Sequence, residues 1–248
     1  MFNSDKIKAI LCDYGGTIDS NGMHWAEVIW QSYQTMQIPV SKELFRQAYI
    51  YGERTLAQNR IVLPHHNFWH VLRLKVEAQL QWLLDNKHLP DDDRAPHYIA
   101  SVADWCYTYA QICINQARPI LKNLSEQYPI VLVTNFYGNM QAVLEDFYLA
   151  TLFVSVIESS VVGIRKPNPD IFRLGMEQLG LAPHEVVVIG DSYHKDILPA
   201  SSLGCCTIWL KKTGWEPEVG NESADIITSD FAALKDIFRT TETGGLFI

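Results

Sequence analysis

Short apolar runs rich in Val and Ile recur along this chain at residues 8–12, 130–134, 153–157, 186–189 and 206–210, with a weaker run at 226–228. They are too short for helices and lack the alternation of a strand with one wet face, so they predict strands buried on both faces. Between them, residues 139–147, 169–179 and 195–203 carry apolar positions at helical spacing, and Gly180 and Gly204 stand where a left-handed residue would stop a helix. Strand, helix and strand repeated in this way predict an α/β fold built on a doubly wound parallel sheet.

Residues 20–117 break that rhythm, because they contain only helical patterns, at 25–35, 42–58, 68–84 and 98–116. About a hundred residues between the first and second strands are too many for a loop. The chain therefore divides into an α/β core from residues 1–19 and 118–248 and an inserted all-helical domain at 20–117. Asp91-Asp92-Asp93-Arg94 reads as a solvated turn between two of those helices, and residues 240–248 as a terminal tail.

Charge narrows the partners. A net charge of −8 and a pI near 5.4 disfavour nucleic acid or an anionic membrane, which call for clustered Lys and Arg. No run approaches the roughly 18–20 apolar residues of a spanning helix, and residues 1–8 are too polar for a signal peptide. A cytoplasmic protein acting on small diffusible ligands is the expectation. The five cysteines, Cys12, Cys106, Cys113, Cys205 and Cys206, form no CxxC pair and read as reduced thiols packed as small hydrophobes.

Four of the predicted strands open into polar motifs. Asp13-Tyr14-Gly15-Gly16-Thr17 follows the first and Thr134-Asn135 the second; Lys166-Pro167 follows the third, and Gly190-Asp191-Ser192 with Asp196 the fourth. A parallel sheet brings such loops to one carboxyl edge, where open α/β folds bind ligands. A carboxylate at Asp13 can attack phosphorus and divide one difficult displacement into two. Gly15 and Gly16 admit a phosphate close to the backbone, whose N–H groups form an anion nest. The Thr134 hydroxyl and the Asn135 N–H are donors for phosphate oxygens. Lys166, stiffened by Pro167-Asn168-Pro169, can neutralise nucleophile and phosphoryl charge. Asp191 and Asp196 supply oxygen ligands of the type Mg²⁺ takes, and without a cation Asp13 and Asp191 would repel.

These motifs, in this order, resemble those of the haloacid dehalogenase superfamily, whose members mostly hydrolyse phosphate esters through an aspartyl-phosphate. The resemblance implies a small phosphorylated metabolite as substrate, an aspartyl-phosphate at Asp13, and a helical cap over the active site at 20–117. It also implies Mg²⁺ held by Asp13, the Gly15 carbonyl and Asp191, with Asp196 positioning waters or holding Lys166. Thr17 would hold the turn. The dehalogenases of that superfamily need no metal and generally lack an acid at the place of Asp191, which favours phosphorus. Its phosphatases usually carry Asp two residues after the nucleophile, where this chain has Gly15.

That glycine removes the group that would protonate the leaving group and activate water, a contribution of roughly 10² to 10⁴ in rate. Three readings follow: a good leaving group; a substitute from Asp19, His24 or residues 51–54; or a carbon–phosphorus hydrolase similar to the phosphonoacetaldehyde hydrolases, with Lys42 as the nearest Schiff-base lysine and Lys75 or Lys87 no better placed. A turnover-deficient metal- and phosphate-binding module is the alternative outside enzymes. In the cap, Arg54 within Tyr51-Gly52-Glu53-Arg54 is the candidate for an anionic end of the substrate. His65, His66 and His70 lack an acidic third ligand and read as surface or core residues. Trp25, Trp30, Trp69, Trp82 and Trp105 read as cap core.

Overall fold

Six strands pair side by side, all in parallel: β1 (Ala9–Cys12), β2 (Ile130–Thr134), β3 (Ser155–Glu158), β4 (Val186–Gly190), β5 (Cys206–Leu210) and β6 (Ile226–Thr228). Their order is β3-β2-β1-β4-β5-β6. The computed structural model describes residues 6–90, 92, 94–212 and 224–238. Asp91 and Asp93 of the acidic turn, residues 1–5 and the 240–248 tail lie outside the described residues.

The apolar runs became strands for the reason their composition suggests. β1, β2 and β4 are buried at every residue, and each fully buried Val, Leu or Ile contributes about 1.5–3 kcal/mol of transfer free energy. Successive side chains go to opposite faces. Leu11, Val131 and Val133 pack with Phe172 and Met176 on one side, whereas Ile10, Leu132 and Ile189 join the other. That second cluster runs without interruption into the helical insert, through Tyr14, Trp25, Phe68 and Ile114.

The insert holds α1 (Trp25–Thr35), α2 (Lys42–Gln58), α3 (Phe68–Asp85) and α4 (Ala95–Ser125). Side-chain caps start the first three: His24 Nδ1 accepts from Ala26 N at 3.2 Å, Ser41 from Leu44 N at 3.3 Å and Asn67 from His70 N at 3.2 Å. α4 extends beyond the predicted 98–116 at both ends. It spans 31 residues and passes unbroken through 117–118, despite Pro119. Its last turns pack on the core, where Ile120, Leu121 and Leu124 are buried and Arg118 donates to the Phe147 carbonyl at 2.9 Å.

The core helices follow the predicted pattern as α5 (Met140–Asp146), α6 (Asp170–Leu179) and α7 (Leu198–Ser202). The predicted helix at 195–203 is shorter, because Tyr193–Ile197 winds as a π turn before it. Ser192 drives that widening, since its carbonyl accepts from both Asp196 N at 2.9 Å and Ile197 N at 3.3 Å. Such wide turns often carry functional residues, and this one carries Asp196. After β1 the chain goes to β2 and β3 on one side of the sheet, then returns to β4 on the other. The crevice at this reversal, outside the carboxyl ends of β1 and β4, is where such sheets bind ligands.

Candidate active site

Asp13 leaves β1 beside the end of β4, and its N–H donates to the Ile189 carbonyl at 2.9 Å. Lys166 reaches the same point from the loop after β3. Its Nζ lies 2.6 Å from Asp13 Oδ1 and 2.6 Å from Asp196 Oδ1, and all three residues are buried. Asn135 fixes the lysine from behind: its Oδ1 accepts from Lys166 N at 2.9 Å and its Nδ2 donates to the Lys166 carbonyl at 3.1 Å. Asn135 therefore anchors Lys166 through its side chain, a role that sequence reasoning did not assign.

A Cβ on Gly16 would fall 2.4 Å from Asp191 Oδ2, and its φ of +97° is in the glycine region. It is the Asp191 carboxylate that takes up this space. Gly15 differs, because nothing lies within 4 Å of a Cβ there. The Thr17 hydroxyl lies 3.0 Å from Asp13 Oδ2 and 3.3 Å from Asp191 Oδ1, joining the carboxylates of β1 and β4.

Asp13, Asp191 and Asp196 each offer an oxygen within 4.8 Å of the others. Burial, opposed by Lys166, pushes the Asp13 carboxyl up to about 6. Burial and the charges of Asp13 and Asp196 hold Asp191 well above the usual carboxylate range. Burial alone would lower the Lys166 ammonium, but Asp13 and Asp196 raise it above its ordinary value. Asp196 already uses both oxygens, Oδ1 on Lys166 and Oδ2 on Ser192 N at 3.1 Å. Asp13 and Asp191 thus bring crowded hard oxygen donors to one place, a donor set that fits a divalent cation such as Mg²⁺.

These residues line a cavity of about 130 Å³ together with Gly15, Gly16 and Thr134. Its other wall comes from the helical insert and from the loop after β2. Lys75 of α3 is 8% exposed and places Nζ 2.6 Å from Glu53 Oε1 of α2. Glu53 Oε2 accepts from the Tyr137 hydroxyl at 3.1 Å, and Lys75 Nζ lies 5.7 Å from that ring's centre. Glu158 at the end of β3 secures this loop by accepting from Gly138 N and, at 3.1 Å, from Asn139 N.

The sequence motifs at the sheet edge converge as their order predicts: Asp13, Gly15, Gly16, Thr134, Asn135, Lys166, Asp191 and Asp196 all line the cavity. Arg54 does not. It is exposed, because one step along a helix turns a side chain by about 100°, and it is Glu53 that faces inward. Lys42 is bonded to Glu27 at 2.7 Å and does not line the cavity. Asp19 is fully buried, accepts from Gly16 N at 2.8 Å and Trp25 Nε1 at 2.9 Å, and is pushed up by burial to about 7. His66 and His70 stack at 5.0 Å and belong to no metal-ligand group among the described residues.

Sequence reasoning missed Tyr137, held Glu53 only as one of residues 51–54, and ranked Lys75 no better than Lys42, although it is Lys75 that lines the cavity. A signal for Lys75 was present: Phe68, Val71, Leu72, Lys75, Val76, Gln79, Leu80 and Leu83 form one buried helix face. A lysine on that stripe is desolvated unless paired.

The doubly wound sheet thus carries clustered carboxylates and a buried lysine at its carboxyl edge. The family model for haloacid dehalogenase-like hydrolases matches residues 7–204, and this chain belongs to that family. It is 25% identical over 242 residues to the phosphoglycolate phosphatase of Vibrio vulnificus, covering 94% of this chain and 96% of that protein. It is 33% identical over 87 residues to the glyceraldehyde 3-phosphate phosphatase of Methanocaldococcus jannaschii, a match covering 35% of this chain and 38% of that protein's length. A solved dehalogenase shares the fold at TM-score 0.66 and 19% identity, covering 97% of this chain and 100% of that one. Among the described residues no helix is long and apolar enough to cross a membrane.

Proposed function

We propose that this protein is a Mg²⁺-dependent phosphatase of small phosphorylated metabolites, working through an aspartyl-phosphate at Asp13. The observation that carries the reading is the arrangement at the sheet edge, where Lys166 bridges Asp13 and Asp196 at 2.6 Å each and Asp191 completes a cluster of carboxylates within 4.8 Å. Its phosphatase relatives support the choice of phosphorus.

Asp13 and Asp191, with the Gly15 carbonyl, would hold the cation, which neutralises phosphoryl charge when bound. Thr17 orients Asp13 by donating to Oδ2, leaving the carboxylate aimed from β1 into the cavity. Thr134 and the Asn135 N–H offer donors to the phosphate. Lys166, locked by Asn135, lies where negative charge builds as the nucleophile attacks. Asp196 fixes the ammonium that does this. Residues 20–117 act as a cap domain on the 1–19 and 118–248 core, which fits their share of the cavity wall. A cytoplasmic setting fits the five free thiols.

The carbon–phosphorus reading gains no support, since an imine needs a neutral amine and Lys75 is ion-paired with Glu53. The test is phosphate release with and without Mg²⁺ from a panel of phosphorylated metabolites, with Asp13→Asn as control. Metal-dependent release lost in the variant supports the reading. Equal inertness of both proteins despite bound Mg²⁺ favours a binding module instead.

A further inference from the structure

Several titratable groups in the cavity wall are not used by that chemistry: Asp19, His24, Tyr49, Glu53, Lys75 and Tyr137. A phosphatase of alkyl esters needs one of them to protonate the leaving oxygen, and none is arranged to do so. Asp19 is tied to the turn after β1 and to α1, one oxygen accepting from Gly16 N and the other from Trp25 Nε1. His24 accepts through Nδ1, and burial pulls it down to about 4, so it is neutral at pH 7. Glu53 is held ionised between Lys75 and Tyr137. The Tyr137 phenol, pushed up by burial to about 12, already donates to Glu53, and burial holds Tyr49 well above its ordinary value.

Gly15 adds no side chain, although its φ is not positive and a Cβ there would meet nothing within 4 Å. Packing does not force the omission. What the wall does offer is charge: Lys75, buried and fixed by Glu53 and by the ring of Tyr137, with Lys195 and the exposed Arg165 also lining the cavity.

Resting on the phosphatase reading above, we propose that this cavity selects acyl phosphates, whose leaving group departs as a carboxylate, and that Lys75 receives that anion. An Asp13 oxygen bonds to phosphorus while the bond from phosphorus to the acyl oxygen breaks, its electron pair leaving on a carboxylate that needs no proton at neutral pH. Water then bonds to phosphorus and the bond to Asp13 breaks. Asp13 regains its carboxylate, and both protons of the water leave on dihydrogen phosphate.

The experiment compares acetyl phosphate, 4-nitrophenyl phosphate and glycerol 3-phosphate as substrates of the full chain with Mg²⁺. Acetyl phosphate is expected to exceed glycerol 3-phosphate in kcat/KM by about 100-fold or more, the scale of a missing general acid. Gly15→Asp should narrow that gap by raising the alkyl rate about 10-fold or more. Lys75→Met should lower kcat for acetyl phosphate more than for 4-nitrophenyl phosphate, with Lys75→Arg restoring part of it. Should Lys75→Met not fold, the Glu53→Gln/Lys75→Met double variant removes both charges and should show the same selective loss. Wild-type rates equal on acyl and alkyl phosphates would overturn the proposal and leave the phosphatase reading intact. If none of the three is hydrolysed faster than by Asp13→Asn, that reading has failed and the proposal with it.

Discussion

Lys166 and Lys75 are buried against carboxylates on two walls of one cavity, and they differ in what surrounds them. Lys166 sits between Asp13 and Asp196 at 2.6 Å each, with its backbone clamped by Asn135. Lys75 has one carboxylate, Glu53, whose side chain is still 31% exposed, and the face of Tyr137. The first is an anchored cation in a rigid sheet edge; the second comes from helices and has solvent within reach. The same charge is thus held by two carboxylates at the core and by one at the insert. The carboxylates differ in the same way, since burial raises Asp13, Asp19 and Asp191, whereas at Glu53 burial is outweighed by Lys75 and the Tyr137 hydroxyl together, which lower it.

The comparison breaks most sharply at Asp13, the proposed nucleophile. Asp13→Asn should abolish turnover, by about 10⁴-fold or more, as removal of one member of a catalytic unit does. Single-turnover assays with a phosphorylated probe check this, and full retention of activity would remove Asp13 from the chemistry. Next come the two lysines. Lys166→Met should lower kcat by roughly 10²–10³ and, by stranding two buried carboxylates, cost about 3–5 kcal/mol. Lys75→Met should cost about 1–2 kcal/mol, because Glu53 can rehydrate. Urea titration of both variants measures the difference, and equal losses would erase the distinction between the walls.

The glycines sharpen it further. Gly16→Ala forces a methyl against Asp191 at positive φ and should destabilise by about 1–3 kcal/mol, whereas Gly15→Ala should stay within about 0.5 kcal/mol. Thermal melts of the pair decide this.

The carboxylates of the two walls also differ in their response to pH. Asp13, Asp19 and Asp191 have folded values above their ordinary 3.8, reaching about 6 in Asp13 and about 7 in Asp19. The folded state therefore holds protons that the unfolded chain has lost. Their stabilisation is complete below 3.8 and disappears as pH rises through 6 and 7, each group contributing up to about 1.4 kcal/mol per pH unit without divalent cation. Glu53 has the opposite sign, its contribution fading as pH falls below the ordinary 4.5. Mg²⁺ should flatten the decline by favouring ionised Asp13 and Asp191. Urea midpoints from pH 4 to 7.5, with and without the ion, would expose an error if stability rose with pH in metal-free buffer.

The runs of Val and Ile determined the sheet, because a strand buried on both faces has few other ways to place such residues. The motifs after those runs determined the sheet-edge site, because parallel strands deliver successive loops to one edge. Asp13, Thr134, Lys166 and Asp191 were legible on that ground alone. Tertiary structure decided the rest. Whether Glu53 or Arg54 faces the cavity depends on how α2 is rotated against α3, and that rotation follows from packing around Phe45, Tyr49 and Leu72. The pairing of Lys75 with Glu53 joins positions 22 apart in sequence, and no local pattern encodes it. Local chemistry is written in short motifs, whereas the choice of partner across a helix interface emerges only when the faces meet.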